Sequence, residues 1–343
     1  MNSKIILITL FSICFSSDVV GGNLSFMNIS VSANSRALGN TIGSEIYNPT
    51  SLLKNPANIW QYSNFKLMGT VQKMDLDYGT DYVNIFSGKK IGNGTMALGA
   101  INYKISDIEG YDDEANYFGN FDYNDFAFVF GYAHRISNLI VGLGGNVIKE
   151  KFIDLDTWDK PNVFYGLDFG ISLVDLSFNS GNNFNESFTL SLGGAMKMVY
   201  GNGELQNSAN STSSLFTNFS FHLPFIKQSK SINILVKSFN DLVFQTFLER
   251  YNFNTGFQLD ILPKNTNWSF RLNSGISNII LPIGSYSDKD ANYIETLNYS
   301  RKLSFGVGTD IPIIRNNTIS FDLAYIINDT YYDGVYMTMK FSR

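Results

Sequence analysis

Residues 318–325 of the chain read TISFDLAY. Isoleucine, phenylalanine, leucine and tyrosine occupy every second position, and threonine, serine, aspartate and alanine occupy the positions between them. Because successive side chains of a β-strand point to opposite faces, this stretch predicts a strand with one apolar face and one small or polar face.

The same alternation recurs along most of the chain, for example at 163–173, 187–198, 267–276 and 335–341. A soluble β-sandwich would alternate in the same way, so alternation alone does not decide the fold. The number of segments favours a barrel, because an even number of antiparallel strands closes without a free edge. About fourteen segments lie near residues 65–73, 80–88, 94–104, 124–135, 138–150, 162–176, 187–200, 213–223, 231–240, 250–261, 267–276, 300–311, 317–327 and 332–342.

The connections between these segments alternate in length, which is typical of bacterial barrels with short periplasmic turns and long outer loops. Most segments are also long enough to cross a bilayer at a tilt. The sequence therefore predicts an all-β fold, a transmembrane antiparallel β-barrel in the bacterial outer membrane, surrounded by outer-membrane lipid. The short connections include 136–137 and 312–316, and the long ones include 105–123, 151–161, 200–212 and 277–299.

Charged strand residues are expected to point into the lumen, because hydrocarbon cannot satisfy a charge. The alternation places them on the small or polar face without exception. Two interpretations remain open: the charges line a substrate path, or they form a structural salt-bridge network that fills the barrel. The residues concerned are Asp168, Lys197, Lys237, Arg271, Asp310, Asp322 and Lys340.

Residues 1–22 have the pattern of a signal peptide. Lys4 precedes the apolar run Ile5–Phe15, which is too short to span a bilayer as a helix. The only cysteine, Cys14, lacks the neighbours that a lipoprotein signal requires. We therefore expect export through the inner membrane and an exported chain without thiol chemistry.

Residues 23–63 do not alternate and precede the predicted barrel at 64–343. Asn48-Pro49 and Asn55-Pro56 each resemble a helix N-cap followed by proline at the first helical position, so two short helical turns are expected. A barrel of about fourteen strands would otherwise enclose an aqueous channel. The sequence thus predicts a partly helical hatch, or plug, inside the lumen.

This N-terminal stretch carries a family resemblance. Arg36-Ala37-Leu38-Gly39, then Gly43, Asn48-Pro49 and Asn55-Pro56-Ala57, resembles the N-terminal signature of FadL-like outer-membrane barrels, with the PorV/PorQ and UPF0164 families as the nearest branch. The chain departs from that pattern at Gly39-Asn40-Thr41, where those families have Gly-Met-Gly. The hatch motif comprises Arg36, Gly39, Asn48, Pro49, Asn55, Pro56 and Ala57.

The resemblance implies several functions, because FadL-like barrels share a fold and differ in role. PorV-like members serve protein export through the type 9 secretion system, which implies secretion-system partners. FadL-like members transport fatty acids or hydrocarbons, which implies a hydrophobic ligand. A structural or surface-exposed barrel without transport is the third alternative. Within the hatch, Arg36 is expected to pair with a lumen carboxylate such as Asp168 or Asp322, or else to face periplasmic water.

Other activities find little support in the sequence. The net charge of −5 and the absence of a Lys/Arg cluster argue against nucleic-acid binding. The chain has only two histidines, His134 and His222, both near predicted periplasmic strand ends, so an enzyme is not expected. No motif requires a cofactor. Acidic residues within 105–125 offer oxygen ligands for calcium, although their spacing fits no EF-hand and a solvated loop is the simpler interpretation.

Overall fold

The computed structural model describes residues 31–74, 80–111, 116–153, 162–179, 187–201, 212–223, 232–245, 250–264, 266, 268–281, 302–313, 317–328 and 334–343. The predicted signal peptide lies outside these ranges, as do residues 23–30 of the predicted hatch. No helix within the described ranges is long and apolar enough to cross a membrane.

Within these ranges the chain forms one short α-helix, three 3-10 helices and fourteen strands. The helix α1 is Ala33–Ala37, and the 3-10 helices are Gly43–Glu45, Pro49–Leu53 and Pro56–Ile59. The strands are β1 Phe65–Met74, β2 Thr80–Ile91, β3 Gly94–Tyr111, β4 Tyr117–Ile136, β5 Leu139–Ile153, β6 Asn162–Asn179, β7 Ser187–Gly201, β8 Thr212–Leu223, β9 Ile232–Gln245, β10 Arg250–Pro263, β11 Ser269–Leu281, β12 Lys302–Pro312, β13 Thr318–Asn328 and β14 Gly334–Ser342.

The strands form a closed antiparallel barrel in which each strand pairs with its sequence neighbours and β1 pairs with β14. At this seam Phe65 and Arg343 exchange two backbone hydrogen bonds of 3.2 and 3.0 Å. We call the end of the barrel where β1 starts and β14 finishes the terminal end, and the opposite end the distal end. The fourteen-stranded antiparallel barrel predicted from the alternation is therefore confirmed.

Several strands extend further than the sequence indicated, and the predicted loop 105–123 is largely strand. β3 continues to Tyr111 and β4 starts at Tyr117, and Lys104 pairs across them with Asp122 at 2.7 Å. Backbone hydrogen bonds continue the ladder regardless of side-chain polarity, so loss of the apolar pattern does not mark the strand end. Among the described residues, no group of three or more acidic, histidine or cysteine side chains could hold a metal ion.

The outer surface of the barrel is apolar over most of its described area. The exposed side chains include many of those that the alternation placed on the apolar face. An apolar surface of this extent is unfavourable in water and suits the hydrocarbon of a membrane. Examples from nine strands are Val83, Ile85, Leu98, Phe128, Phe130, Leu143, Leu167, Phe270, Leu272, Phe305, Val307, Phe321, Leu323, Met337 and Met339.

Candidate functional site in the barrel lumen

Residues 31–63, which we call the N-terminal segment, contact the inner side of the barrel around most of its circumference. The helix α1 contacts β11 to β14, whereas the 3-10 helices Pro49–Leu53 and Pro56–Ile59 together contact β1 to β6. The 3-10 helix Gly43–Glu45 contacts β8 and β9. Strands on opposite sides of the ring are thus bridged by the same short segment.

Both Asn-Pro pairs start a short helical turn, as the sequence pattern predicted. The turns are 3-10 helices, which are wound more tightly than an α-helix. Asn55 does act as a cap, because its Oδ1 accepts a hydrogen bond from Ala57 N at 2.9 Å. Asn48 makes no such bond, and its Oδ1 instead lies 3.5 Å from Lys66 Nζ. Each proline supplies a fixed φ and lacks a backbone N–H, which suits the first position of such a turn.

Asn55 also anchors the N-terminal segment to the wall. Its Nδ2 lies 3.3 Å from both Ser172 Oγ on β6 and the carbonyl oxygen of Gly194 on β7. Ser172 Oγ in turn donates to Asn58 Oδ1 at 2.6 Å. Because Asn55 and Ser172 are fully buried, these bonds satisfy polar groups that water cannot reach.

Wall glycines allow the backbone of the N-terminal segment to touch the strands at two places. A β-carbon on Gly142 of β5 would overlap the backbone nitrogen of Ala57, and one on Gly275 of β11 would overlap that of Gly39. Gly39 has a φ of +68°, and a β-carbon there would lie 2.5 Å from the carbonyl oxygen of Thr255. Glycine is required at such close approaches between backbones.

Arg36 is buried, with 7% of its surface exposed, and its guanidinium lies 4.8 Å from the ring centroid of Tyr336 on β14. This cation–π geometry attaches α1 to the wall. Asp322, one of the two carboxylates expected beside Arg36, forms an ion pair with Arg271 at 2.8 Å.

Two buried carboxylates that the sequence analysis did not single out organise the N-terminal segment. The side chain of Glu45 accepts hydrogen bonds from Ser32, which caps α1, and from Thr50 in the next 3-10 helix. Asp241 on β9 accepts a hydrogen bond from the backbone N–H of Ile42. The role of each carboxylate is recognisable only once the donors around it are known, because the sequence does not show which groups meet.

An aromatic cluster fixes the end of the N-terminal segment at the terminal end of the barrel. The guanidinium of Arg135 lies 4.5 Å from the Trp60 ring and 5.3 Å from the Tyr62 ring. Asp175 accepts hydrogen bonds from Tyr47 Oη at 2.7 Å and Tyr62 Oη at 2.5 Å, and pairs with Arg135 at 3.2 Å. Burial and the neighbouring Asp175 raise the pKa of Tyr47 well above its ordinary value, so its hydroxyl stays a donor.

Four of the predicted lumen charges, Lys237, Arg271, Asp310 and Asp322, take part in ion pairs. Arg271 pairs with both Asp310 and Asp322, and Lys237 pairs with Asp260 at 2.8 Å. The interpretation of these charges as a structural network therefore accounts for this group.

Two more of the predicted lumen charges lie on the neighbouring strands β6 and β7. Asp168 is buried with Asn146 Nδ2 at 3.5 Å and stands opposite Lys197 in the β6–β7 register. The side chain of Lys197 lies outside the described part of the molecule.

A cavity of about 360 Å³ lies between the N-terminal segment and the wall near the terminal end. The segment contributes Ser32, Ser44 and Asn48, and the wall contributes charged and polar side chains from several strands. Cations outnumber carboxylates in this lining. The charged lining residues are Lys66, Lys237, Arg271, Lys340, Asp175 and Asp322.

The opposite side of the lumen is apolar. Leu52 and Ile59 of the N-terminal segment belong to one buried cluster with inward side chains of β2 to β5. Tyr103 and Phe164 pack against this cluster, and Tyr103 makes edge contacts with Tyr82 at 6.3 Å and Tyr123 at 6.4 Å. The wall members of the cluster include Tyr82, Phe86, Ile101, Val129, Ile140 and Ile148.

Comparison with known proteins finds likeness in structure only. No protein-family model matches the chain, and no curated protein is significantly similar to it. Similar solved structures include the toluene transporter TodX of Pseudomonas putida, with 10% identity, 95% of this chain and 99% of that chain covered, and a TM-score of 0.45. The toluene transporter TbuX of Ralstonia pickettii has 11% identity, 91% and 97% coverage and a TM-score of 0.46.

A FadL homologue of Pseudomonas aeruginosa is also similar, with 8% identity, 92% and 97% coverage and a TM-score of 0.44. Similarity at this level carries no functional argument. The finer resemblance to the PorV/PorQ and UPF0164 families stays a prediction of the sequence motif.

Proposed function

We propose that the protein is a bacterial outer-membrane transporter of small hydrophobic compounds, with the N-terminal segment as a hatch across its lumen. The apolar inner wall of β2 to β5 is the observation that carries the proposal. A barrel that serves only water-soluble solutes has a polar interior. Here the inner side of four strands, β2 to β5, carries a cluster of aliphatic and aromatic side chains, which suits a ligand that gains free energy by leaving water.

The outer surface supports the membrane location. Its exposed side chains are large and apolar on strands from all parts of the ring, whereas charged wall residues such as Arg271 and Asp322 are buried inside. Toward the middle of these strands, apolar side chains therefore face the hydrocarbon.

The contacts of the N-terminal segment support its role as a hatch. It is held at the wall by polar bonds of Asn55, by the carboxylate of Asp241 and by the cation–π contact of Arg36. Water can replace the protein partners of these polar groups, so the contacts can break when a ligand displaces part of the segment.

Ile101, which is fully buried in the apolar wall, offers a direct test. Ile101→Asn places an amide in this surface, and Ile101→Leu keeps it apolar. Uptake of a fluorescent apolar probe such as N-phenylnaphthylamine would be measured in cells that produce each variant, and binding of the probe to the purified barrel in detergent.

We expect the asparagine variant to lower uptake and binding by about tenfold, since burying one unpaired amide costs about 1–3 kcal/mol. The leucine variant should stay within about twofold of the unmodified protein. Heat-modifiable gel mobility would verify that both variants form a barrel. Equal uptake with the unmodified protein and with an empty vector would overturn the proposal.

The export alternative rests on the motif resemblance alone, because no surface feature of the described residues favours a secretion partner. If the protein is instead a structural barrel without transport, no lumen substitution should change probe uptake. The same uptake experiment tests this alternative.

A further inference from the structure

Two of the four cations that line the cavity near the terminal end have no described carboxylate within 4 Å. Lys237 and Arg271 have carboxylate partners within 4 Å, but among the described residues none lies within 4 Å of Lys66 or Lys340. Lys66 Nζ instead donates to the carbonyl oxygen of Tyr47 at 2.5 Å.

The two lysines lie on neighbouring strands and point to the same side. In the register of the β1–β14 seam, Lys66 stands opposite Ser342, and Lys340 stands opposite Met68. Lys66 and Lys340 are therefore diagonal neighbours, a separation that long side chains bridge. Leu67 and Met339, the residues adjacent to them in sequence, are exposed on the outer surface, so both lysines point inward.

Like charges at this spacing repel each other unless an anion lies between them. The two carboxylates of the cavity lining already have partners, because Asp322 pairs with Arg271 and Asp175 pairs with Arg135. The two lysines therefore have the charge pattern of an anion-binding site. Lysine suits this role because its compact ammonium group attracts oxyanions as a point charge.

Both lysines line the cavity of about 360 Å³ at the terminal end. Its other lining residues include Ser44 and Asn48 of the N-terminal segment, so an occupant would contact the wall and the segment together. The cavity is large enough for a small organic anion, and its polar lining is unsuited to a hydrocarbon.

We propose that Lys66 and Lys340 form a binding site for a small oxyanion, a carboxylate or a phosphate, between the N-terminal segment and the β1–β14 seam. The cavity lining shares no wall residue with the apolar cluster, and the site does not depend on the proposed transport of hydrophobic compounds. Arg271 and Lys237 lie in the same lining but are already paired with Asp322 and Asp260, so they provide positive surroundings rather than the primary contacts.

Isothermal titration calorimetry on the purified full chain in detergent at low ionic strength tests the site. Inorganic phosphate and succinate serve as probes for the two oxyanion classes, and glycerol serves as an uncharged control. The test variants are Lys66→Gln and Lys340→Gln. The matched control is Lys302→Gln, which removes another inward-facing wall cation that does not line the cavity.

We expect saturable binding of at least one probe at one equivalent, weakened about tenfold by each test variant and less than twofold by the control. Binding of phosphate alone, of succinate alone or of both would each support the site and define its ligand class. Heat-modifiable gel mobility of each variant verifies that the barrel is folded, so that loss of binding cannot be ascribed to unfolding.

Absence of binding by the unmodified protein would overturn the proposal. Equal weakening by Lys302→Gln would also overturn it, because the effect would then come from the overall charge of the lumen.

Discussion

Gly275 on β11 lies so close to Gly39 in the N-terminal segment that a β-carbon on Gly275 would overlap the backbone nitrogen of Gly39. Gly275→Ala should therefore push the segment away from the wall or strain the strand. We expect a loss of about 1–3 kcal/mol in unfolding free energy, the range found for overpacked sites. Limited proteolysis should cut residues 31–63 faster in the variant than in the unmodified protein.

Gly69→Ala is the control for this substitution. A β-carbon there would lie 3.8 Å from its nearest neighbouring atom, the carbonyl oxygen of Asn84, which is ordinary van der Waals contact. Equal protease sensitivity of the Gly69 and Gly275 variants would show that the contact with Gly39 does not hold the segment.

Asp241 provides a second test of how the segment is held. Asp241→Ala removes the acceptor for the backbone N–H of Ile42 in a buried environment. We expect a loss of about 1–3 kcal/mol, because an unsatisfied buried donor remains. Asp241→Asn keeps an acceptor oxygen and should lose less. Hydrogen–deuterium exchange at Ile42 measures the difference, and equal protection in all three proteins would contradict the assigned bond.

The sequence predicted the wall better than it predicted the contacts inside it. The inward or outward orientation of strand side chains could be predicted because lipid and lumen require opposite polarity at alternate residues. Phe321, Asp322 and Leu323 illustrate this pattern. Strand ends were misjudged at Tyr111 and Tyr117, where the ladder continues through polar residues. The roles of Glu45 and Asp241 required the three-dimensional positions of their donors, which come from segments that lie far apart in the chain or carry no motif.

The ion triad of Arg271, Asp310 and Asp322 predicts a large effect of removing its centre. Arg271→Ala leaves two carboxylates without their cation, and Asp322 and the arginine are largely buried. We expect a loss of about 3–5 kcal/mol in unfolding free energy, as for other broken buried pairs. Denaturant unfolding in detergent micelles measures it.

A double variant, Arg271→Ala with Asp322→Asn, should recover part of the loss because one unpaired charge is removed as well. If the double variant is as unstable as the sum of the two single variants, the two side chains do not interact.

The depth of the outer surface in the membrane gives a fourth prediction. Leu323 lies midway along β13, and Ile313 follows the end of β12; both are exposed. Leu323→Lys should cost about 2–4 kcal/mol, whereas Ile313→Lys should cost about 0–1 kcal/mol, because the penalty for a charge falls toward the membrane interface. Unfolding from lipid vesicles measures both, and equal costs would argue against a membrane around the middle of β13.

The seam between Phe65 and Arg343 has a consequence for assembly. The pairing of β1 is complete only when β14 is in place, because β14 is its second neighbour. Nearly the whole barrel sequence separates these two strands. The N-terminal segment touches strands on both sides of that seam. The ring therefore closes around the N-terminal segment. This segment precedes the strands in the chain and is synthesised before them, so the wall folds around a segment that already exists.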